Sequence, residues 1–240
     1  MLSINILKNI TSDYLLVFAA LPDMGRVGGL ASSFLASQSG AELVATIRLA
    51  EKPWVNVKDG LVSSATDTYS IYFKKDQNML ILTGVSQPED PSELFALCTT
   101  FLDFCQTVGP VKRLYTAGGS FNDLLTGEPR VVGVVTTLQL KELLLKSKID
   151  TISSEISTIT WFNGLILGLA ANRGIDGIGL YGEISDKSIP QPLAAKSILK
   201  AFGKIEGIII DTKPLDRQYE EVLDSLDRRK GVTESRPGIG

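Results

Sequence analysis

The sequence predicts an α/β fold, a three-layer α/β/α sandwich with a mixed, largely parallel sheet. Short apolar runs of strand length, such as YLLVFAAL at 14–21, alternate with longer segments whose apolar residues recur at helical spacing, such as 91–108. Two strands at 67–74 and 78–84 with a tight polar turn between them predict a hairpin, which makes the sheet mixed. We expect one domain over 1–230 and a flexible tail over 231–240, because no linker or repeat interrupts the pattern.

The first half of the chain opens with a strand, a turn and a helix. The strand at 14–21 runs into the letters PDMGRVGG, and a helix follows that carries Val27 and Phe34 on one face and stops at Gly40. The next predicted elements are a strand at 41–49, a proline-bounded extended segment at 52–62 with a turn at Asp59-Gly60, and the two hairpin strands.

The helix at 91–108 has well-defined predicted ends. Pro91 suits a first helical turn, and Gly109-Pro110 is a firm stop. The later elements again alternate: strands at 111–120, 130–137 and 176–184, and helices at 138–148, 161–172, 190–204 and 214–230. Cys98 and Cys105 lie too far apart along the helix for a disulfide and are expected to be buried thiols.

The composition excludes or disfavours several classes of function. The 240 residues include no histidine, which excludes Ser-His-Asp and Cys-His catalysis and most transition-metal sites. A net charge of −3 without a long basic run disfavours nucleic acid as a partner. We expect no cofactor and no metal. We also expect a cytoplasmic protein without membrane contact, because the sequence has no long uncharged apolar stretch and its start lacks the features of a secretion signal.

Loops at the carboxyl ends of the strands gather the candidate site residues. Parallel sheets bind ligands at this edge. The predicted pocket consists of Asp23, Gly25, Arg26, Gly28, Gly118, Gly119, Ser120, Asn163 and Glu183.

The first glycine loop has two interpretations. The spacing of Gly25, Gly28 and Gly29 fits neither the dinucleotide motif nor the P-loop. An anion at the helix N-terminus, assisted by Arg26, is one hypothesis. The favoured interpretation is that these glycines determine the turn and the close approach of helix to sheet.

No residue is assigned a catalytic role. Ser120 after Gly118-Gly119 would need a base such as Lys112, and Glu183 with Asp23 would form an acid–base pair only if the fold brought them together. Ordinary loop roles are favoured for both groups. Whether the protein is an enzyme therefore stays open, and a non-catalytic role is preferred.

As an ordered set, these segments resemble the proteasome assembly chaperone 2 family. The resemblance rests on Pro22, Gly25 and Gly28 followed by a helix and GAELVATI, and on later corners in the family's order, which are Pro53, Asp59-Gly60, Gly84 with Gln87, Gly118-Gly119, RVVGVVTT, Asn163-Gly164 and Glu183 followed by PQPLAAKSIL. It implies a fold similar to the phosphorylase/hydrolase class, homo- or hetero-oligomers, and chaperones without a known reaction that bind proteasome α subunits.

The sequence departs from the family at two places. Trp161 and Phe162 stand where a small, glycine-containing turn is expected before Asn-Gly. Chaperones of this family that dock into proteasome pockets end in a hydrophobic residue, Tyr and any residue, whereas this chain ends in Gly238-Ile239-Gly240. We therefore expect any proteasome contact to use another surface, or a partner that carries such a tail.

Two function hypotheses follow. The first is a non-catalytic, self-associating assembly factor that binds proteasome α subunits, a second family member or a related assembly partner. The helix at 214–230 is a candidate contact surface. For this helix alone, however, the favoured interpretation is a solvated amphipathic face whose inward residues are Leu215, Tyr219, Val222, Leu223 and Leu226. The second is a small-molecule binding protein, for a nucleoside or phosphate, or a hydrolase- or phosphorylase-type enzyme that uses the carboxyl edge of the sheet.

Overall fold

A computed structural model describes residues 2–38, 40–152 and 156–234, and for 229–234 it describes the backbone only. Within these residues the chain forms one sheet of nine strands: β1 (Ser3–Ile6), β2 (Leu15–Ala19), β3 (Ala41–Lys58), β4 (Leu61–Lys74), β5 (Met79–Thr83), β6 (Val111–Phe121), β7 (Val131–Val135), β8 (Asp150–Thr151) and β9 (Gly177–Ile184). The helices are α1 (Val27–Ser37), α2 (Pro91–Val108), α3 (Leu138–Lys146), α4 (Trp161–Asn172), α5 (Pro192–Glu206) and α6 (Lys213–Glu234).

The sheet is mixed, as predicted. Its strand order is β1-β3-β4-β5-β2-β6-β9-β7-β8. The central strands β5, β2, β6 and β9 pair in parallel, while β1, β3 and β4 pair antiparallel on one side and β7 runs antiparallel to β9 on the other. The carboxyl ends of four adjacent parallel strands therefore lie together at one edge.

Helices cover both faces, which confirms the three-layer α/β/α class. One apolar core joins the sheet to α2 and α4, and the other joins it to α1, α3, α5 and the start of α6. Residues of β2 are divided between the two cores in strict alternation, because successive side chains of a strand point to opposite faces. Cys98 and Cys105 are free and buried, as predicted, and burial raises the pKa of the Cys98 thiol to about 12.

The longest strands form an arm that the sequence shows only in pieces. The predicted strand at 41–49 and the extended segment at 52–62 belong to β3, the turn and the start of β4. The turn falls at Asp59-Gly60 as expected, and both residues have positive φ, the conformation of a two-residue hairpin turn. Residues 51–64, here named the arm, are almost entirely exposed.

The C-terminal helix leaves the body gradually. Leu215 is buried, Tyr219, Val222 and Leu226 are half-buried, and Leu223 is 43% exposed, so the predicted inward stripe is fully covered only at the start of α6. The helix continues to Glu234 and takes in the first part of the predicted tail. Residues 235–240, with Gly238-Ile239-Gly240, lie outside the described residues.

No helix in the described ranges is both long enough and apolar enough to cross a membrane.

Candidate functional site

Asp23 connects two of the strand ends that meet at this edge. It follows β2, and its Oδ1 accepts a hydrogen bond from Gly28 N–H at 2.8 Å while its Oδ2 accepts one from Gly119 N–H at 2.6 Å. Burial raises the pKa of Asp23 to about 6, although the two backbone hydrogen bonds act in the opposite direction. The anion at the N-terminus of α1 is therefore the protein's own carboxylate.

Gly118 leaves the space in which three side chains converge. A Cβ at this position would lie 2.6 Å from Asp23 Oδ2, 2.7 Å from Asn163 Nδ2 and 3.1 Å from the ring of Tyr181. Asn163 is buried at the start of α4, and its Oδ1 accepts a hydrogen bond from Thr116. The missing side chain of Gly118 thus allows a carboxylate, an amide and a phenol to share one small region.

A cavity of about 480 Å³ opens beside these groups. Asp23, Ser120, Asn163 and Tyr181 line it, together with apolar side chains that include Phe121 and Trp161. Lys187 also lines it, with its Nζ 4.3 Å from the centre of the Phe121 ring. The cavity has the size and the mixed lining of a small-molecule site.

Trp161 adopts a backbone conformation that explains the departure seen in the sequence. Its φ is +62°, in the left-handed region that favours glycine. The indole N–H donates to the carbonyl of Pro88 at 3.1 Å, and the next residue, Phe162, donates its N–H to Gln87 Oε1 at 3.1 Å. These bonds hold a bulky residue in a strained turn at the edge of the cavity.

Some of the predicted pocket residues line the cavity, and others shape the turn beneath it. Asp23, Gly119, Ser120 and Asn163 line the cavity. Gly25 and Gly28 shape the turn below it. The φ of Gly25 is +62°, its N–H donates to the carbonyl of Lys187 at 2.9 Å, and its carbonyl accepts from Gln191 N–H at 2.8 Å.

Glu183 and Arg26 do not line the cavity. Arg130 donates to Glu183 Oε1 at 2.8 Å, and this bond holds the pKa of Glu183 below its usual value. Asp23 and Glu183 thus have separate partners, and the cavity does not bring them together as an acid–base pair. Arg26 is exposed, which leaves the hypothesis of an anion bound with its assistance without support.

Lys112 cannot act as a base for Ser120. The two residues are eight positions apart on β6, a separation of about 26 Å at 3.3 Å per residue. The Lys112 ammonium instead pairs with Glu206 at 3.1 Å, at the opposite end of the strand. The structure therefore removes the one base considered for a serine nucleophile.

Sequence reasoning did not identify Tyr181 or the cavity role of Trp161. Tyr181 lies inside the apolar segment GIGLYGEI, where an aromatic residue is typical of the hydrophobic core. The available signal was its register, because β9 pairs with β6 so that Tyr181 stands opposite Gly118. That pairing is visible only in three dimensions.

Comparison with known proteins agrees with this architecture. A family model described as the PAC2 family matches residues 17–229. The chain belongs to the PAC2 family. Among its relatives, an uncharacterized protein of Methanocaldococcus jannaschii is 28% identical over 222 residues, which are 91% of this chain and 84% of that protein.

Solved structures of related proteins share the fold. Pyrococcus furiosus PbaB, described as an archaeal proteasome activator, superposes with a TM-score of 0.80 at 28% identity and covers 95% of this PAC2 chain and 98% of its own. Pyrococcus furiosus PbaA, described as an archaeal homolog of proteasome-assembly chaperone, gives a TM-score of 0.78 at 18% identity over 96% and 93% of the two chains. The similarity to PbaA concerns the fold alone.

Proposed function

We propose that this protein is a non-catalytic, oligomeric assembly factor that binds proteasome α subunits. The observation that carries the proposal is the similarity to PbaB, a proteasome activator, over nearly the whole of both chains. Family membership and the absence of histidine from the sequence support the same role. The mechanism is mass action: an oligomer that binds a partly assembled subunit raises the population of that intermediate.

The arm supports self-association. Trp54, Val55, Val57, Leu61 and Val62 are all more than half exposed. Val57 stands directly opposite Val62, so two valines share one face near the tip. A two-stranded ribbon in water is only marginally stable by itself. An apolar arm of this kind gains stability when another surface covers it.

The surface that covers the arm is that of a second copy of this chain. β1 pairs with β3 only at 45–48, and β5 pairs with β4 only at 70–74, so both outer edges of the arm have no neighbouring strand among the described residues. Free strand edges bind strands of the same kind. Two arms could therefore pair edge to edge, which would place their valines in contact across the new pair of strands.

Replacing the arm valines by a charged pair should weaken the oligomer. In V57K/V62E, opposite charges still face each other across the hairpin, which preserves the arm, but the apolar face is lost. Light scattering coupled to size exclusion should give a multiple of 25.9 kDa for the wild type and 25.9 kDa for the variant. V85K is the matched control, because Val85 is 89% exposed and lies outside the arm. A monomeric wild type, or a V57K/V62E variant as large as the wild type, would contradict the proposal.

Native mass spectrometry tests the partner. The protein is mixed with α subunits of the same organism, and the proposal expects species that contain both chains.

A further inference from the structure

The cavity beside Asp23 has no role in the proposed assembly function. Its polar groups lie together at one end, where Gly118 brings Asp23, Asn163 and Tyr181 close together. Phe121, Ile159 and Trp161 contribute apolar and aromatic surface. A volume of about 480 Å³ falls within the range of small-molecule sites.

Tyr181 supplies an unused hydrogen-bond donor. Its side chain lines the cavity, the residue is only 5% exposed, and its hydroxyl has no hydrogen-bond partner among the described residues. Burial, and to a smaller extent the charge of Asp23, raises the pKa of this phenol, so the hydroxyl keeps its proton. A buried donor without an acceptor is costly, and a ligand that provides the acceptor removes that cost.

Asp23 supplies acceptor capacity in the same region. Each carboxylate oxygen accepts one backbone N–H, and a carboxylate has about four acceptor positions in all. A ligand N–H can therefore still donate to Asp23. A carboxylate near a phenol O–H is complementary to a ligand edge that carries an N–H next to a carbonyl.

The charges disfavour an anionic ligand. Among the described residues that line the cavity, Lys187 is the only cation, and its ammonium lies over the Phe121 ring. The Asp23 carboxylate would repel a phosphate at the polar end. The aromatic side chains, by contrast, suit a flat ring, because stacking on an aromatic face favours planar partners.

We propose that this cavity binds an uncharged planar nitrogen heterocycle of the nucleobase type, whose ring N–H donates to Asp23 and whose carbonyl accepts from the Tyr181 hydroxyl. The strained turn at Trp161 fits this role, since strain of this kind is found where a ligand must be held. The proposal is independent of proteasome binding and stands or falls separately from it.

Titration calorimetry with hypoxanthine tests the proposal. The full chain is titrated well above pH 6, where Asp23 is ionised. Hypoxanthine should bind, and caffeine, which has no N–H, should bind at least about tenfold more weakly because it cannot donate to Asp23. Inosine monophosphate should also bind more weakly than the free base because of its phosphate.

Two variants locate the site. Tyr181→Phe removes only the hydroxyl and should weaken hypoxanthine binding about 5- to 10-fold. Phe121→Ala, at a residue that is 46% exposed, should weaken it as well without unfolding the protein. Tyr69→Phe is the matched control, because Tyr69 is a buried tyrosine that does not line the cavity, and it should bind like the wild type.

Several results would overturn the proposal. These are a wild-type protein that binds no hypoxanthine at millimolar concentration, equal affinities in the wild type and Tyr181→Phe, or caffeine or inosine monophosphate binding as tightly as hypoxanthine.

Discussion

Gly28→Ala should destabilise the protein by about 3–5 kcal/mol or prevent it from folding. A Cβ at this position would lie 2.4 Å from the carbonyl oxygen of Ala117 and 2.6 Å from that of Leu21. Both atoms belong to the backbone of the central sheet region and cannot move as a side chain would. Helix α1 would have to shift away from the sheet, and the hydrogen bond from Gly28 N–H to Asp23 would weaken.

Gly168→Ala is the matched control for this substitution. Gly168 lies within α4, and no described atom is within 4 Å of the Cβ that alanine would add. Because alanine is the better helix former, this variant should gain about 0.5–1 kcal/mol. Urea unfolding followed by circular dichroism measures both. If the two variants were equally stable, the close approach of α1 to the sheet would be refuted.

Glu206→Ala should cost about 3–5 kcal/mol, because it leaves buried donors without an acceptor. The Glu206 side chain is 2% exposed at the end of α5. It accepts hydrogen bonds from Arg113 and Tyr115 through Oε1 and from Lys112 at 3.1 Å through Oε2. These bonds fasten α5 to the start of β6.

The same cluster gives a pH dependence. Burial by itself would raise the pKa of Glu206, but the hydrogen bond from Tyr115 and the charge of Arg113 outweigh it and lower the pKa below 4.5. A carboxylate whose pKa is lowered by folding contributes stability that is fully present above its unfolded value and is lost as the pH falls through the folded value. Wild-type stability should therefore decline below about pH 4.5, and the decline should be shallower in Glu206→Gln.

Glu42→Ala is the control for Glu206→Ala. Glu42 also accepts from a lysine, Lys8 at 2.7 Å, but its side chain is 64% exposed. Exposed ion pairs contribute little, so urea unfolding of this variant should match the wild type. A loss at Glu206 no greater than the loss at Glu42 would count against a structural role for the buried cluster.

Elements bounded by strong local signals were predicted well from the sequence. The bounds of α2 were predicted correctly because Pro91 starts it and Gly109-Pro110 follows it. β1 and β8 were not predicted, since strands of four and two residues carry too little pattern and form by pairing with distant strands. The full length of the arm was missed because its register irregularities and exposed apolar residues hide any regular alternation.

The site was predicted in part for a similar reason. Asp23 follows β2, Ser120 lies near the carboxyl end of β6 and Asn163 lies in the first turn of α4, so topology places them at one edge. A carboxylate at that edge can bind a ligand or accept hydrogen bonds from the protein's own backbone, and the difference depends on distances of a few ångströms. The spacing of residues in the sequence does not predict such distances. Asp23 turned inward to Gly28 and Gly119, whereas Glu183 paired with Arg130.

Native mass spectrometry of the mixed proteins tests most directly the claim that this PAC2 protein binds proteasome α subunits. Wild-type protein at micromolar concentration should give species whose mass is the sum of its own chains and α subunits. V85K should behave like the wild type, whereas the V57K/V62E variant should lose the species that contain more than one copy of this chain. A spectrum that shows only the separate masses of the wild-type protein and the α subunits would contradict the claim.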